Sequence, residues 1–177
     1  MLEFEKTRLD GVLLIKPETF EDFRGEYVQL YSKEEYKQLV ELIDIEWVED
    51  DISVTMRHSL KGLHGNNSTY KLISCLYGKF YIVVIDYNKE SKDFGKWQGF
   101  TLSEKNRLQL LVPPGYANGH VALSEMSIFH YKQSEYYNRK NQFTIRYDDP
   151  RFNIYWPVKN PIISQRDEVG NDEYNDR

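Results

Sequence analysis

Apolar residues recur along this chain in short runs separated by polar or turn-forming positions. The runs are "GVLLI" (11–15), "EYVQLY" (26–31), "EWVEDDISVT" (46–55), "KLISCLY" (71–77) and "FYIVVID" (80–86), then "WQGFTL" (97–102), "LQLLV" (108–112), "HVAL" (120–123), "SIFHYKQ" (127–133) and "FTIRY" (143–147). Gly78, Gly95, Pro113-Pro114-Gly115 and Asp148-Asp149-Pro150 break them up. Each run reads as a strand, and many short strands at such spacing predict an all-β sandwich or barrel. One helix is expected. Ser32 followed by Glu35 has the capping-box pattern ahead of "EYKQLVEL", and Tyr36, Leu39, Val40 and Ile43 fall on one helical stripe. No repeat or linker divides the chain, so residues 1–177 read as a single domain. The polar, acidic tail from Gln165 frays over about 168–177.

Length and composition narrow the function. A chain of 177 residues, 40% apolar and 29% charged, is an ordinary globular size and balance. Its 14 tyrosines and nine phenylalanines suit a β-rich core or a stacking pocket. A net charge of −5 argues against a nucleic-acid partner, which needs a basic face. The single cysteine, Cys75, excludes an intramolecular disulfide and a Cys-rich zinc site, and reads as a buried strand residue. No stretch is long and apolar enough for a membrane helix. The charged N-terminus "MLEFEKTRLD" does not look like a signal peptide, and the expected location is the cytoplasm.

The candidate chemistry begins at "KGLHGNN" (61–67), where His64 stands between two glycines. A metal-binding cupin shows two histidines two residues apart, but here Asn66 takes the second place and is expected to contact substrate instead. In the second half, Asn118 and His120 lie two apart in "YANGH". The ligand count is too low for a first-row metal, so none is expected. A lone interior histidine can instead be a general base, given an orienting carboxylate and an acidic carbon proton. Lys71 shares a face with apolar Ile73 and Cys75. Taken by itself it reads as a strand-end lysine that carries its ammonium to water, although it could also serve an anion such as an enolate. Tyr131 alone reads as a core tyrosine. Tyr136 and Tyr137 could stack on a flat ring or cover a sheet edge.

Taken together, the fragments "FEDFRGEY" (20–27), "KGLHGN" (61–66), "YKLISCLYGKFYIVVIDYNKESKDFGKW" (70–97), "LQLLVPPGYANGH" (108–120), "FHYKQSEYY" (129–137), "IRYDDPRFNIYWP" (145–157) and "PIISQRD" (161–167) resemble the dTDP-4-dehydrorhamnose 3,5-epimerase family in order and spacing. The resemblance implies a cupin-like jelly-roll sandwich with one or two short peripheral helices. It further implies a homodimer without metal or organic cofactor, acting on a nucleotide-diphosphate 4-keto sugar. His64 would be the base, Asp167 its orienting carboxylate, Lys71 the cation at the enolate oxygen and Tyr131 the acid on the opposite ring face. Tyr137 would lie along the nucleotide or sugar. Arg24 would reach the nucleotide, in such dimers often across the subunit interface.

Departures from the family pattern carry information of their own. The usual "RGLHYQ" is "KGLHGN" here, so Lys61 keeps a charge at the phosphate side but loses the guanidinium fork. Gly65 in place of an aromatic is expected to open the sugar pocket. The usual "FAHGF" is "YANGH", so Asn118 replaces a phosphate-side histidine and His120 stands in for it from two residues on. Glu49 and Asp51 stand where the usual run has amides, and acidic groups there would read a guanine's donor edge. These changes resemble the branch that epimerises GDP-4-keto-heptoses for bacterial capsules. A dTDP- or CDP-linked 6-deoxyhexose stays open as the substrate. Also open are a non-catalytic cupin that binds a nucleotide sugar, a sugar 3,4-ketoisomerase and a metal-dependent cupin, the last disfavoured by the ligand count.

Overall fold

The computed structural model describes residues 2–40 and 45–170. In chain order the strands are β1 (Glu3–Lys6), β2 (Leu13–Lys16), β3 (Thr19–Asp22), β4 (Gly25–Val28), β5 (Glu49–Met56) and β6 (Leu60–Gly65). Then follow β7 (Lys71–Tyr77), β8 (Lys79–Asp86), β9 (Trp97–Ser103), β10 (Gln109–Val112), β11 (Tyr116–Ala122), β12 (Met126–Gln133) and β13 (Phe143–Thr144). Helix α1 (Lys33–Tyr36) runs into a 3-10 turn, and α2 (Gln165–Val169) lies near the C-terminus. One antiparallel sheet has the order β1-β2-β10-β7-β12-β5, a second the order β13-β6-β11-β8-β9, and β3-β4 forms a separate hairpin. This is the expected jelly-roll-like sandwich with few short helices.

Burial explains why the central runs are continuously apolar rather than alternating. Phe80, Ile82 and Val84 of β8 point into the core between the sheets, with Ile73, Leu110 and Phe129 of the opposite sheet. Val83 and Ile85 point the other way, yet they are covered by Ile145, Phe152, Ile154 and Trp156. The outer face of the first sheet is covered in turn. There Leu13, Ile15, Leu72 and Leu111 pack against Tyr36, Tyr31 and Trp47. Both sheets are therefore buried on two sides over much of their width, and a two-sided strand has no polar face to display.

β7 matches its expected span, and β8, β9, β10 and β12 match within a residue. The Ser32 hydroxyl accepts the Glu35 amide at 3.4 Å, as the capping pattern predicts. The helix is shorter than expected; Ile43, the last residue of the expected stripe, lies outside the described residues, as does the tail 171–177. Gln165–Val169, where the polar tail begins, is helical.

The least foreseen strand is β6. Its two glycines look like turn residues, but they are there because the chains crowd. Gly62 has φ +123°, and a Cβ on it would stand 2.4 Å from the Gly119 Cα and 2.8 Å from the Asn118 carbonyl. β6 and β11 thus meet backbone to backbone, with a register shift between Asn118 and His120.

Replacing Gly62 with Ala is expected to destabilise the fold by about 3 kcal/mol. Urea unfolding of the variant and parent, followed by tryptophan fluorescence, measures this.

Candidate active site

The sandwich leaves a cavity of about 610 Å3 at one end, walled by both sheets and by the C-terminal segment. That volume suits a ligand of cofactor or nucleotide-sugar size. β6 supplies His64, β11 supplies Asn118 and His120, β7 supplies Lys71, and β12 supplies Phe129, Tyr131 and Gln133. The imidazole thus comes from one sheet and the phenol and ammonium from the other, all lining the same space.

Asp167 reaches His64 by a long detour. Ile162 pairs with the start of β6, its amide donating to the His58 carbonyl at 2.9 Å and its carbonyl accepting the Leu60 amide at 2.8 Å. Ser164 then caps α2 by accepting the Asp167 amide at 3.2 Å. This carries the Asp167 carboxylate over the cavity, where Oδ1 lies 2.6 Å from His64 Nε2 across 103 positions of sequence. Its other oxygen accepts the Gly62 amide at 3.3 Å. Burial pushes the carboxyl up, but the hydrogen bond and charge of His64, with Gly62 and Ser164, hold it below its ordinary 3.8. It is therefore ionised and accepts. His64 Nε2 is then the donor, which in the neutral ring leaves the lone pair on Nδ1.

Tyr131 pairs with Asp51 across the β12–β5 ladder. Burial, together with the carboxylates of Asp51 and Glu49, pushes its phenol up to about 12, so it is a proton donor at neutral pH. Asp51 is itself raised, by burial and by Glu49. Glu49 accepts hydrogen bonds from the Gln133 side chain and the Tyr137 amide, which fixes the loop that carries Tyr137 along the cavity wall.

Lys71 does not carry its ammonium out to the protein surface. Its residue is 9% exposed, and Nζ donates to Asn118 Oδ1 at 3.2 Å. Burial, and then the nearby Arg166 charge, pull its pKa down to about 8. The strand-end reading fails because Lys71 is flanked on both sides in the sheet, by Val112 of β10 and Gln133 of β12.

Other expectations need correction. His120 lines the cavity, but burial, with Lys61 and His64 nearby, pushes it down to about 3. It is therefore neutral and cannot stand in as a phosphate cation; its Nε2 meets Thr55 Oγ1 at 3.1 Å and its ring stacks on Phe129 at 4.2 Å. Asn66 is a turn residue outside the cavity, its Oδ1 accepting the Ser68 and Thr69 amides. Gly65 does not open the pocket. A Cβ there would strike the Tyr116 carbonyl and the Phe143 ring, which fills the space on the strand face away from His64. Arg24, expected to reach the nucleotide and in such dimers often across the subunit interface, sits in the β3–β4 turn, bonded to Asp22, and lines a surface hollow of its own. Lys61 lines the cavity, with Nζ 2.7 Å from Ser53 Oγ.

Arg166 is a wall residue that the sequence reading passed over. It bonds Thr144 Oγ1 at 3.0 Å and Gln142 Oε1 at 3.2 Å, and with Lys61 and Lys71 it makes the cavity cationic. Its position beside Asp167 was the available signal. Among the described residues no group of three or more His, Cys, Asp or Glu is gathered to hold a metal.

Known proteins share this architecture. The model of the dTDP-4-dehydrorhamnose 3,5-epimerase family matches residues 6–172. The dTDP-4-dehydrorhamnose 3,5-epimerase of Shigella flexneri is 35% identical over 165 residues, 92% of this chain and 91% of that protein. The solved structure of the Legionella pneumophila dTDP-6-deoxy-D-glucose-3,5-epimerase in complex with dTDP-4-keto-L-rhamnose gives a TM-score of 0.89 at 32% identity, covering 94% of this chain and 90% of that one. The Bacillus anthracis dTDP-4-dehydrorhamnose 3,5-epimerase with TDP and PPi bound gives 0.91 at 31%, covering 97% and 99%.

A pH effect on stability follows from His120. Its folded pKa of about 3 lies below its ordinary 6.5, so the unfolded chain binds the proton that the folded one refuses. Stability is lost as pH falls from about 6.5 towards 3. Urea midpoints should drop over that range, and less steeply in His120→Gln.

Proposed function

The chain belongs to the dTDP-4-dehydrorhamnose 3,5-epimerase family, and on that premise we propose how its residues invert C3, or C3 and C5, of a nucleotide-diphosphate 4-keto sugar. The ketone acidifies the neighbouring carbon protons. His64, oriented by Asp167, removes one through Nδ1. The resulting enolate carries its charge on O4, where the Lys71 ammonium stabilises it. Tyr131 returns a proton from the other ring face, which inverts the centre. The observation that carries this reading is the meeting of the paired imidazole, the protonated phenol and the buried ammonium on one cavity, from two opposed sheets. Lys61 and Arg166 would hold the diphosphate, and Tyr137 would lie along the nucleotide or sugar. A non-catalytic binder would have no use for a base–carboxylate pair facing an acid.

For the substrate we assign a GDP-linked 4-keto-heptose. The basis is the chain's departure from the family pattern: "KGLHGN" resembles the "GxHG" run of the GDP-4-keto-heptose branch, and Glu49 and Asp51 stand where the family has amides, as carboxylates that suit the N–H donors of guanine. The second reading is a dTDP-4-keto-6-deoxyhexose, favoured by the relatives named above, whose names and ligands are dTDP-linked. The working unit in this proposal is a cytoplasmic homodimer. Edge strand β5 exposes Ile52, Val54 and Met56 on one face, an apolar stripe that a second copy would cover. Arg24 would then act on the partner's nucleotide.

Two experiments follow. A panel of GDP-, dTDP- and CDP-linked 4-keto sugars in D2O, read by NMR, should show deuterium entering at C3, with or without C5, fastest in the GDP-heptose. Exchange only with a dTDP sugar would move the nucleotide assignment, and no exchange anywhere would leave a binding protein. In the same assay His64→Asn should abolish exchange. Tyr131→Phe should slow inversion by about 10²-fold or more while sparing exchange, because His64 still returns its own proton. Equal loss of both would mean that Tyr131 is not the acid.

A further inference from the structure

A buried ammonium ordinarily sits against a carboxylate, because desolvation without an opposite charge is costly. Lys71 breaks that pattern. Among the described residues the side-chain partner of its Nζ is the Asn118 amide oxygen, at 3.2 Å, and no carboxylate is within ion-pair distance. Asn118 is itself buried, 8% exposed. On β11 it is held between its register partners His64 on β6 and Val84 on β8. The strand that fixes Asn118 therefore also fixes its distance from the base.

We propose that Asn118 is the positioning residue of Lys71: its neutral carbonyl aims the ammonium into the cavity shared with His64 and Tyr131 and leaves the positive charge uncompensated. The part this plays in catalysis rests on the proposed epimerase chemistry; the positioning itself does not. An amide accepts one hydrogen bond and leaves two N–H groups of the ammonium for a substrate oxygen. A carboxylate in the same place would anchor the lysine equally well but cancel the charge that an enolate needs. An alanine would keep the charge but lose the aim.

The surroundings agree with this division of labour. Facing Lys71 around the cavity are His64 and Lys61 from β6, His120 from β11, Tyr131 from β12, and Arg166 and Asp167 from α2. Asp167 is committed to His64 and Gly62, His120 is neutral, and Arg166 adds positive charge. Nothing on these elements supplies Lys71 with a counter-charge, so the amide alone holds it.

The test uses the full chain in three forms: parent, Asn118→Asp and Asn118→Ser. The titration midpoint of Lys71 is read by NMR of protein carrying 13C at lysine Cε, assigned with Lys71→Gln, in the absence of substrate. The pH profile of C3 exchange is read on the sugar panel. In Asn118→Asp the Lys71 midpoint should rise by about one unit or more. The alkaline limb of exchange should move up with it, and the rate at pH 7.5 should fall about tenfold. Asn118→Ser, whose hydroxyl is too short to reach, should lower the rate at nearly unchanged KM with no upward shift of the midpoint. A folded Asn118→Asp protein in which neither midpoint nor limb moves overturns the proposal. Should Asn118→Asp fail to fold, unchanged kcat in Asn118→Ser overturns it equally. Absence of exchange in the parent protein would sink the epimerase reading, and the Lys71 midpoint would then decide the positioning claim alone.

Discussion

The contact between His64 and Asp167 holds the site together and determines much of what surrounds it. A carboxylate whose side chain is 3% exposed has to be answered by donors, and the imidazole and the Gly62 amide answer it. In return the imidazole is held in one orientation, with one nitrogen committed and the other free. The same contact docks α2, a helix of five residues that is far too short to persist alone. With α2 come Arg166 and the segment through Ile162 that pairs with the start of β6. Base orientation, closure of the cavity and anchoring of the C-terminal segment are thus one event.

Charge is sorted around the cavity rather than balanced within it. Cations come from Lys61, Lys71 and Arg166, while the carboxylates of Glu49 and Asp51 gather beside the phenol and keep it protonated. His120, which by residue type could have added a positive charge, is held neutral between Phe80 and Phe129. The result is a donor on one side, a base on the other and positive potential between them, which is the distribution that suits an oxygen gaining charge. The family supplies the scaffold for this arrangement, and the Asn118–Lys71 contact arises where this chain departs from the family pattern.

Much of the sandwich was legible because its strands are buried on both faces. β8 carries the nearly unbroken apolar run "FYIVVI", and β7 and β12 are short runs rich in β-branched and aromatic residues bounded by turn residues. β6 was not legible, since glycine ordinarily signals a turn and nothing local reveals that another backbone passes within a few ångströms. The site divides along the same line. His64, Tyr131 and Asp167 were found through the resemblance, and the geometry brings them together. Lys71 was misjudged from local pattern because the strands that flank it, β10 and β12, lie about forty and sixty positions later. His120 was misjudged because sequence shows residue type but not desolvation. Gly65 was read as opening the pocket because the family run has an aromatic there, yet it faces the Phe143 ring on the far side of the strand, and Asn66, expected to touch substrate, serves a turn.

The crossing of β6 and β11 limits how this protein could have diverged. Beside His64 the two backbones pack so closely at Gly62 that this position accepts no larger residue without moving a strand. Changes of substrate are therefore confined to the walls that carry side chains, such as Ser53 on β5, Gln133 on β12 and the loop with Tyr137 and Gln142. The wall that carries His64 is braced by a neighbouring backbone, and the wall opposite is built from side chains that can change without moving a strand.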